Sequence, residues 1–333
     1  MFVRPLCGAV AGWLSMNLMT AMRYFSALHE HKHFGRAAQA SHITQPALSN
    51  ALKALESEFG VVIVRRGRTY EGLTPEGEQV LLAAHRMLHE HEVLQQVLKS
   101  EADYPRGRLR MGAIPTAVPI LSRFAAMLQA RHPGIQPVVL SLSSLELETR
   151  LEDLSLDLAL GYTDRVHQRA ITLQSWPQYS EHYFLVRRAA HPHPDGLQMC
   201  DPVAWQTLAG VPLCLLTPEM HNRTIMDGAF AAAGIQVVPA IETNSIFSLV
   251  LSVVDGNVCS VLPGGLLGAV LTYRELEALP LVGPEVRTPI GFMAPTVVRP
   301  SRALQAALGL AESPEWLRHA SAHSGPLMGA RGL

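Results

Sequence analysis

The sequence predicts an α+β chain in three parts: a winged helix-turn-helix, a long linker helix and a two-lobe α/β domain. Three observations carry that reading. Residues 34–60, FGRAAQASHITQPALSNALKALESEFG, read as a short helix, a tight turn and a longer helix. Residues 73–105 hold one apolar seam at helical spacing. From Arg108 onward, strands and helices alternate, which is the pattern of an α/β sheet. A length of 333 residues suits about two domains. With 48% hydrophobic and 17% charged residues, the chain can build a large core and is not of a disordered class.

In the longer helix, Leu48, Leu52, Leu55 and Phe59 form one stripe that needs a core to face. Thr44 is the expected N-cap, Pro46 sits in the first turn where its missing N–H costs little, and Gly60 is the expected stop. Gln45, Ser49 and Lys53 run down another edge, with Asn50 beside them. A solvated face more often carries Glu, Lys and Arg. These short hydrogen-bonding side chains suit base edges in a major groove, although a merely polar surface helix could also carry them. Ala37, Ala38 and Ala40 allow close helix approach before the turn. Upstream, Leu18, Met22, Phe25 and Leu28 predict a covering helix within 16–31. Downstream, VVIVRRGRTYEGLTPEG (61–77) reads as a strand, a basic turn and a return strand, which is a wing. Gln45, Ser49 and Asn50 are expected to contact bases, Pro46 and Ala47 to approach a thymine methyl, and Lys53 to reach phosphate. Arg65, Arg66 and Arg68 suit phosphate or the minor groove, and Arg36 and Thr44 complete the candidate interface.

Phe25, Phe34, Arg36, Ala37, Ala38, Gln45, Pro46, Ala47, Leu48, Ser49, Leu55, Glu56, Gly60, Arg66, Leu73, Thr74 and Gly77 make a long pattern with fixed spacing. With it, residues 16–77 resemble the winged helix-turn-helix of LysR-type transcriptional regulators. Two positions depart from the pattern: His33 stands where the family usually has Ser or a similar N-cap, and Ser41 where it usually has an apolar residue. The resemblance implies a sequence-specific DNA-binding regulator, a helical dimer contact and a periplasmic-binding-protein-like effector domain.

The linker helix should start at Thr74 as cap and Pro75 as first residue, with Glu76 and Glu78 favoured by the N-terminal dipole. Val80, Ala84, Met87, Leu88, His91, Leu94 and Leu98 form its seam. A helix of about 28 residues, roughly 42 Å long, with one such seam needs a partner helix. His85 and His89 are read as exposed or interface histidines rather than metal ligands, because no third ligand is evident. Residues 17–75 hold seven Lys or Arg against four Glu, while residues 76–106 hold three basic and six acidic residues. A modestly basic module joined to an acidic helix fits a salt-sensitive DNA reader.

Residues 107–318 are expected to form the two-lobe domain, with the lobes crossing near Gly161–Asp164 and Pro263–Gly265 and a final helix from Ser301 to about Ala311. Residues 1–15 are expected to be a disordered extension or a mis-assigned start, and residues 319–333 a disordered tail. Cys7, Cys200, Cys214 and Cys259 show no metal or disulfide spacing, so no metal, no cofactor and a reducing, cytoplasmic location are expected. No stretch approaches the ~20 apolar residues of a membrane span.

Strand ends and helix starts place three polar clusters on one expected cleft: Pro115 and Thr116, Ser143 and Ser144, and Thr243, Asn244 and Ser245. Thr217 and His221 would complete the opposite wall. Any one of these residues could equally be an N-cap. The resemblance adds that positions matching Thr116 and Ser144 often bind the effector. Hydroxyls and N–H donors without nearby charge suit a small anion, most simply a carboxylate. The expected partners are a double-stranded operator, a small-molecule effector and further copies of the chain, as a homodimer or homotetramer. The texture of the second domain resembles regulators beside formate dehydrogenase operons, which would make such an operon the target. The competing class is a two-lobe solute-binding protein or enzyme. It would share the second half but not residues 16–77, and GxSxG, GxGxxG and P-loop motifs are absent.

Overall fold

The computed structural model describes residues 17–67, 69–99, 104–164, 173–296 and 300–324. The chain forms two compact units that divide after Glu92, and each is taken by itself.

The first unit holds helices Leu18–His31 (α1), Phe34–Ala40 (α2) and Gln45–Phe59 (α3). The hairpin Val64–Arg66 (β1) and Tyr70–Leu73 (β2) follows, and then the start of Pro75–Lys99 (α4). Met22, Phe25, Leu28, Leu48, Leu52 and Leu55 are fully buried in one core. Phe59 does not join them and stays 41% exposed at the end of its stripe. His33 takes over the missing Ser cap, its Nδ1 accepting from the N–H of Gly35 (3.1 Å) and of Arg36 (3.3 Å). Thr44 caps α3 by accepting from the Ala47 N–H at 3.3 Å, and Gly60 closes it at φ 68°. Thr74 caps α4 through the Gly77 N–H and donates to the Val62 carbonyl, which pins the helix start to the wing. His85 and His89 are buried rather than exposed, and His85 Nε2 is hydrogen-bonded to Ser26 Oγ at 2.9 Å.

In the second unit the chain runs Gly107–Ala113 (β3), Val118–Arg131 (α5), Ile135–Ser141 (β4), Ser144–Glu152 (α6), Leu158–Tyr162 (β5) and Leu173–Glu181 (β6). It continues through Tyr183–Arg188 (β7), Gln198–Met199 (β8), Val203–Ala204 (β9), Leu213–Leu216 (β10), His221–Ala232 (α7) and Ile241–Thr243 (β11). It ends with Ile246–Asp255 (α8), Cys259–Pro263 (β12), Gly264–Val270 (α9), Leu276–Val282 (β13), Thr288–Pro295 (β14), Arg302–Ala311 (α10) and Pro314–His323 (α11).

Two sheets result, one per lobe, in the orders β4-β3-β5-β14-β6 and β11-β10-β12-β7-β13-β8. Strands β3, β4 and β5 run parallel in the first sheet and β10, β11 and β12 in the second, but β14 and β7 pair antiparallel with their neighbours, so neither sheet is purely parallel. The lobes cross at His182, between β6 and β7, and at residues 283–287, between β13 and β14. The crossings expected at Gly161–Asp164 and Pro263–Gly265 are therefore misplaced. The segment LQSWPQYSE, with Pro177 and no apolar alternation, carries no strand signal, yet it forms β6 and keeps the chain in the first sheet. Likewise β13 pairs with β7 and keeps the chain in the second sheet past Gly265. As the edge strand, β6 tolerates a proline that a central strand would not.

The tail also differs from expectation up to residue 324. Ser313 caps α11, and the Trp316 side chain is fully buried, edge-on to Phe124 at 4.9 Å, with its Nε1–H donated to Gln178 Oε1. One aromatic anchor outweighs the Ser- and Ala-rich composition around it. Residues 1–16 and 325–333 lie outside the described residues. Among the described residues, no helix is long and apolar enough to cross a membrane.

Candidate effector cleft and nucleic-acid interface

On α3, Thr44, Gln45, Pro46, Asn50 and Lys53 are exposed, while Ala47 and Ser49 are half-buried. The first turn thus offers its polar side chains to solvent while the Leu48, Leu52 and Leu55 face stays in the core. Arg36 is exposed and its Nη2 donates to the His31 carbonyl at 3.1 Å, so part of its donor fork also ties α2 to α1. Arg65 is exposed on β1. Arg68 and the side chain of Arg66 lie outside the described residues.

The polar clusters expected on one cleft separate in the structure. Pro115, Thr116, Ser143, Ser144 and His221 do meet, around a small cavity between the lobes. Tyr162, at the carboxyl end of β5, and Asn222, in the first turn of α7, complete it. Both were missed, although Tyr162 occupies the strand-end position used to choose the others, and Asn222 directly follows His221. Thr217 and Thr243 do not line it. The Thr217 hydroxyl donates to Glu219 at 2.7 Å, and Thr243 Oγ1 accepts from the Ser245 N–H at 3.1 Å. Asn244 and Ser245 line a different cavity.

Within the small cavity the residues differ in how they are committed. Ser143 is a true cap: it accepts from the Glu146 N–H, and Glu146 reaches back to the Ser143 N–H and hydroxyl. Ser144 Oγ, Thr116 Oγ1, Tyr162 Oη and Asn222 Nδ2 are buried without a hydrogen-bond partner of normal geometry. Four such groups in one place are uncommon, because an unmet buried donor or acceptor costs about 1–3 kcal/mol. The His221 ring stands edge-on to Tyr162 at 4.9 Å. The cavity itself is about 10 Å³, room for roughly one water molecule.

Behind this wall lies Glu181, the last residue of β6, beside the first crossing. It is fully buried, and neither carboxyl oxygen has a hydrogen-bond partner. Burial alone pushes its pKa up to about 8. Burial also raises the Tyr162 phenol, Glu181 adds to that, and weak hydrogen bonding from Thr116 and Asn222 pulls the other way. Tyr179 and Tyr183 are raised by burial and by Glu181. A Cβ at Gly265 would stand 3.4 Å from Glu181 Oε1, 3.5 Å from Tyr179 Oη and 3.3 Å from the Thr116 carbonyl, so these groups crowd one point of α9. The sequence carried no signal for Glu181, because its burial depends on where the lobes cross. Among the described residues no cluster of His, Cys, Asp or Glu could hold a metal ion.

Comparison with known proteins gives this arrangement its context. Residues 19–78 match the bacterial regulatory helix-turn-helix of the lysR family, and residues 102–313 match the LysR substrate binding domain. The chain is 27% identical over 285 residues to the DNA-binding transcriptional dual regulator OxyR of Escherichia coli, covering 85% of this chain and 90% of that one. It is 33% identical over 167 residues to the SDS degradation transcriptional activation protein of a Pseudomonas species, covering 49% of this chain and 55% of that one. Among solved structures, full-length OxyR from Pseudomonas aeruginosa aligns with a TM-score of 0.65 at 23% identity, covering 94% of this chain and 99% of that one. CbnR, a LysR family regulator, aligns with a TM-score of 0.62 at 18% identity, covering 92% and 99%. The two structural likenesses are of fold. The family matches, which together span most of the sequence, establish that this chain belongs to the LysR family of DNA-binding transcriptional regulators and carries that family's effector-binding domain.

Proposed function

We propose that the chain works in the cytoplasm as a homo-oligomer that reads a double-stranded operator through α3 and the wing. A small effector, most simply a carboxylate, held between the lobes switches it. The observation that carries the effector reading is the set of four buried polar atoms, on Thr116, Ser144, Tyr162 and Asn222, that lack a hydrogen bond of normal geometry and are drawn from both lobes around one cavity. All four can donate a hydrogen bond, and no Lys or Arg lines the cavity, so a small anion fits better than a large dicarboxylate. With room for about one water, the cavity admits an effector only as the lobes part, which ties occupancy to their geometry.

Several relatives are named hydrogen peroxide-inducible genes activators. The described cysteines do not support peroxide as the signal here. Burial raises the thiols of Cys200, Cys214 and Cys259, with Glu277 adding to the effect at Cys200, whereas oxidation needs a thiolate. Nothing in the described residues favours a formate dehydrogenase operon, so the target enters as an operator and not as a named operon. One matched structure, CbnR with its target DNA, aligns at a TM-score of 0.60 and 19% identity, in keeping with a DNA partner for this fold.

The test has two arms on the full chain. Thermal shift against formate, acetate, propionate and lactate should show one stabilising ligand. Thr116→Val should then weaken it by about tenfold to a hundredfold while leaving operator binding intact, since an effector donor is lost and the side chain keeps its shape. Unchanged affinity in Thr116→Val and in Ser144→Ala would remove this site. In the second arm, Gln45→Ala should lose about 1–3 kcal/mol on the cognate operator and little on random DNA. Equal losses on both DNAs would leave Gln45 as a positioning contact. Arg65→Ala should weaken both DNAs and flatten the salt dependence.

A further inference from the structure

A second cavity between the lobes is far larger, about 540 Å³, within the ~300–1,000 Å³ range of pockets that bury small ligands. It shares Pro115 with the polar cavity and is otherwise separate from it. Its walls are Val118 of α5, Ile246 and Val250 of α8, and Leu266 and Val270 of α9. Ser141, Asn244 and Tyr273 bring polar groups to it, while the Ser245 hydroxyl is already used in capping α8 through the Ser248 N–H. No Asp, Glu, Lys, Arg or His is among the lining residues. Beside it, Arg123 of α5 donates to the Gly268 carbonyl of α9 at 3.1 Å, holding a wall from each lobe together.

We infer that this cavity is a second ligand site, for an uncharged and largely apolar small molecule with one hydrogen-bonding head. The apolar walls supply the affinity, because filling them removes hydrocarbon surface from water on both sides. A charged ligand would lose its hydration with no opposite charge to meet. The head group has Asn244 and the Tyr273 hydroxyl within the lining set. Since α5 belongs to one lobe and α8 and α9 to the other, an occupant bears on the same lobe geometry as the polar cavity, as a separate input. The inference rests on the cavity alone and stands whether or not the small-carboxylate reading does.

The test uses the full chain with naphthol, an uncharged aromatic body with one hydroxyl, followed by calorimetry. Saturable binding of one naphthol per chain is expected. Ala269→Phe, at an exposed position of the lining, and Val118→Phe should each weaken it by about tenfold or more, because the added ring takes ligand space. Thr116→Val should leave it unchanged, which separates this site from the carboxylate site. Circular dichroism melts confirm that the variants fold. The inference is overturned by absent saturable binding, by binding indifferent to both phenylalanines, or by loss confined to Thr116→Val. It is also overturned if naphthalenesulfonate binds as tightly as naphthol. Binding that disappears as copies associate at higher protein concentration would assign the cavity to a second copy of the chain instead.

Discussion

Glu181→Gln is expected to make the protein more stable above pH 8 and to remove most of a pH dependence that the natural chain shows between about pH 4.5 and 8. The sign follows from burial. The folded chain holds the Glu181 proton up to about pH 8, whereas the unfolded chain releases it near its ordinary value of 4.5. Across that window the native state binds more protons, so the stability from this group is complete at low pH and falls as pH rises. At about 1.4 kcal/mol per pH unit, the whole effect is on the order of 5 kcal/mol, which is large beside a typical domain stability of ~5–15 kcal/mol. Tyr162, Tyr179 and Tyr183 face the same carboxyl, and burial with Glu181 holds their phenols above their ordinary range, so they stay neutral throughout the window. Gln keeps the shape and removes the titration. Urea unfolding of both chains at pH 5, 7 and 8.5 decides it, and parallel curves at all three would mean Glu181 is solvated or paired in solution.

Leu94→Glu is expected to yield monomers and to cost at least about a hundredfold in operator affinity. Of the expected seam on α4, Ala84 is buried in the chain's own core and Val80 and Leu88 pack against that core, so they are not free for a partner. Met87, Leu94 and Leu98, with Val97 beside them, are instead 48%, 56%, 75% and 47% exposed in the single chain. A row of large apolar side chains along a helix of 25 residues, about 37 Å, suits a partner helix. Leu94 is exposed within one chain, so a charge there should cost the isolated fold little. Between two chains it would be buried and opposed by its own copy, which is strongly unfavourable. Two winged units held by one dimer would then read half-sites about 34 Å, or a multiple, apart. Sedimentation velocity and an operator titration measure both effects, and a dimer that persists in the variant disproves the seam.

Most of the first unit was legible because its signals are local. The spacing of Met22, Phe25, Leu28, Leu48, Leu52 and Leu55 specifies which faces meet, and Thr44, Gly60 and Thr74 mark helix ends by hydrogen bonds to their own neighbours. Even there, His33 shows that a side chain outside the usual capping set can do the work when its Nδ1 reaches the same N–H groups.

The cleft was legible only in part. Strand ends and helix starts pointed to Thr116, Ser144 and His221, because parallel strands bring those ends together whatever the loops do. They also pointed to Thr217 and Thr243, which are spent on hydrogen bonds to Glu219 and Ser245. Which hydroxyl is tied up and which is left without a partner depends on distances of a few tenths of an ångström that periodicity does not encode.

The sequence by itself determined the helix-turn-helix, the wing, the linker helix and the alternation that yields two α/β lobes, since each follows from contacts within a few tens of residues. Only the tertiary structure decided where the lobes cross. That choice pairs edge strand β6 with β14 across more than a hundred residues, and it seats Glu181, Tyr162 and Asn222 around the site. Burial of a carboxyl without a partner is a property of the assembled lobes, because it depends on what every other segment excludes from that point.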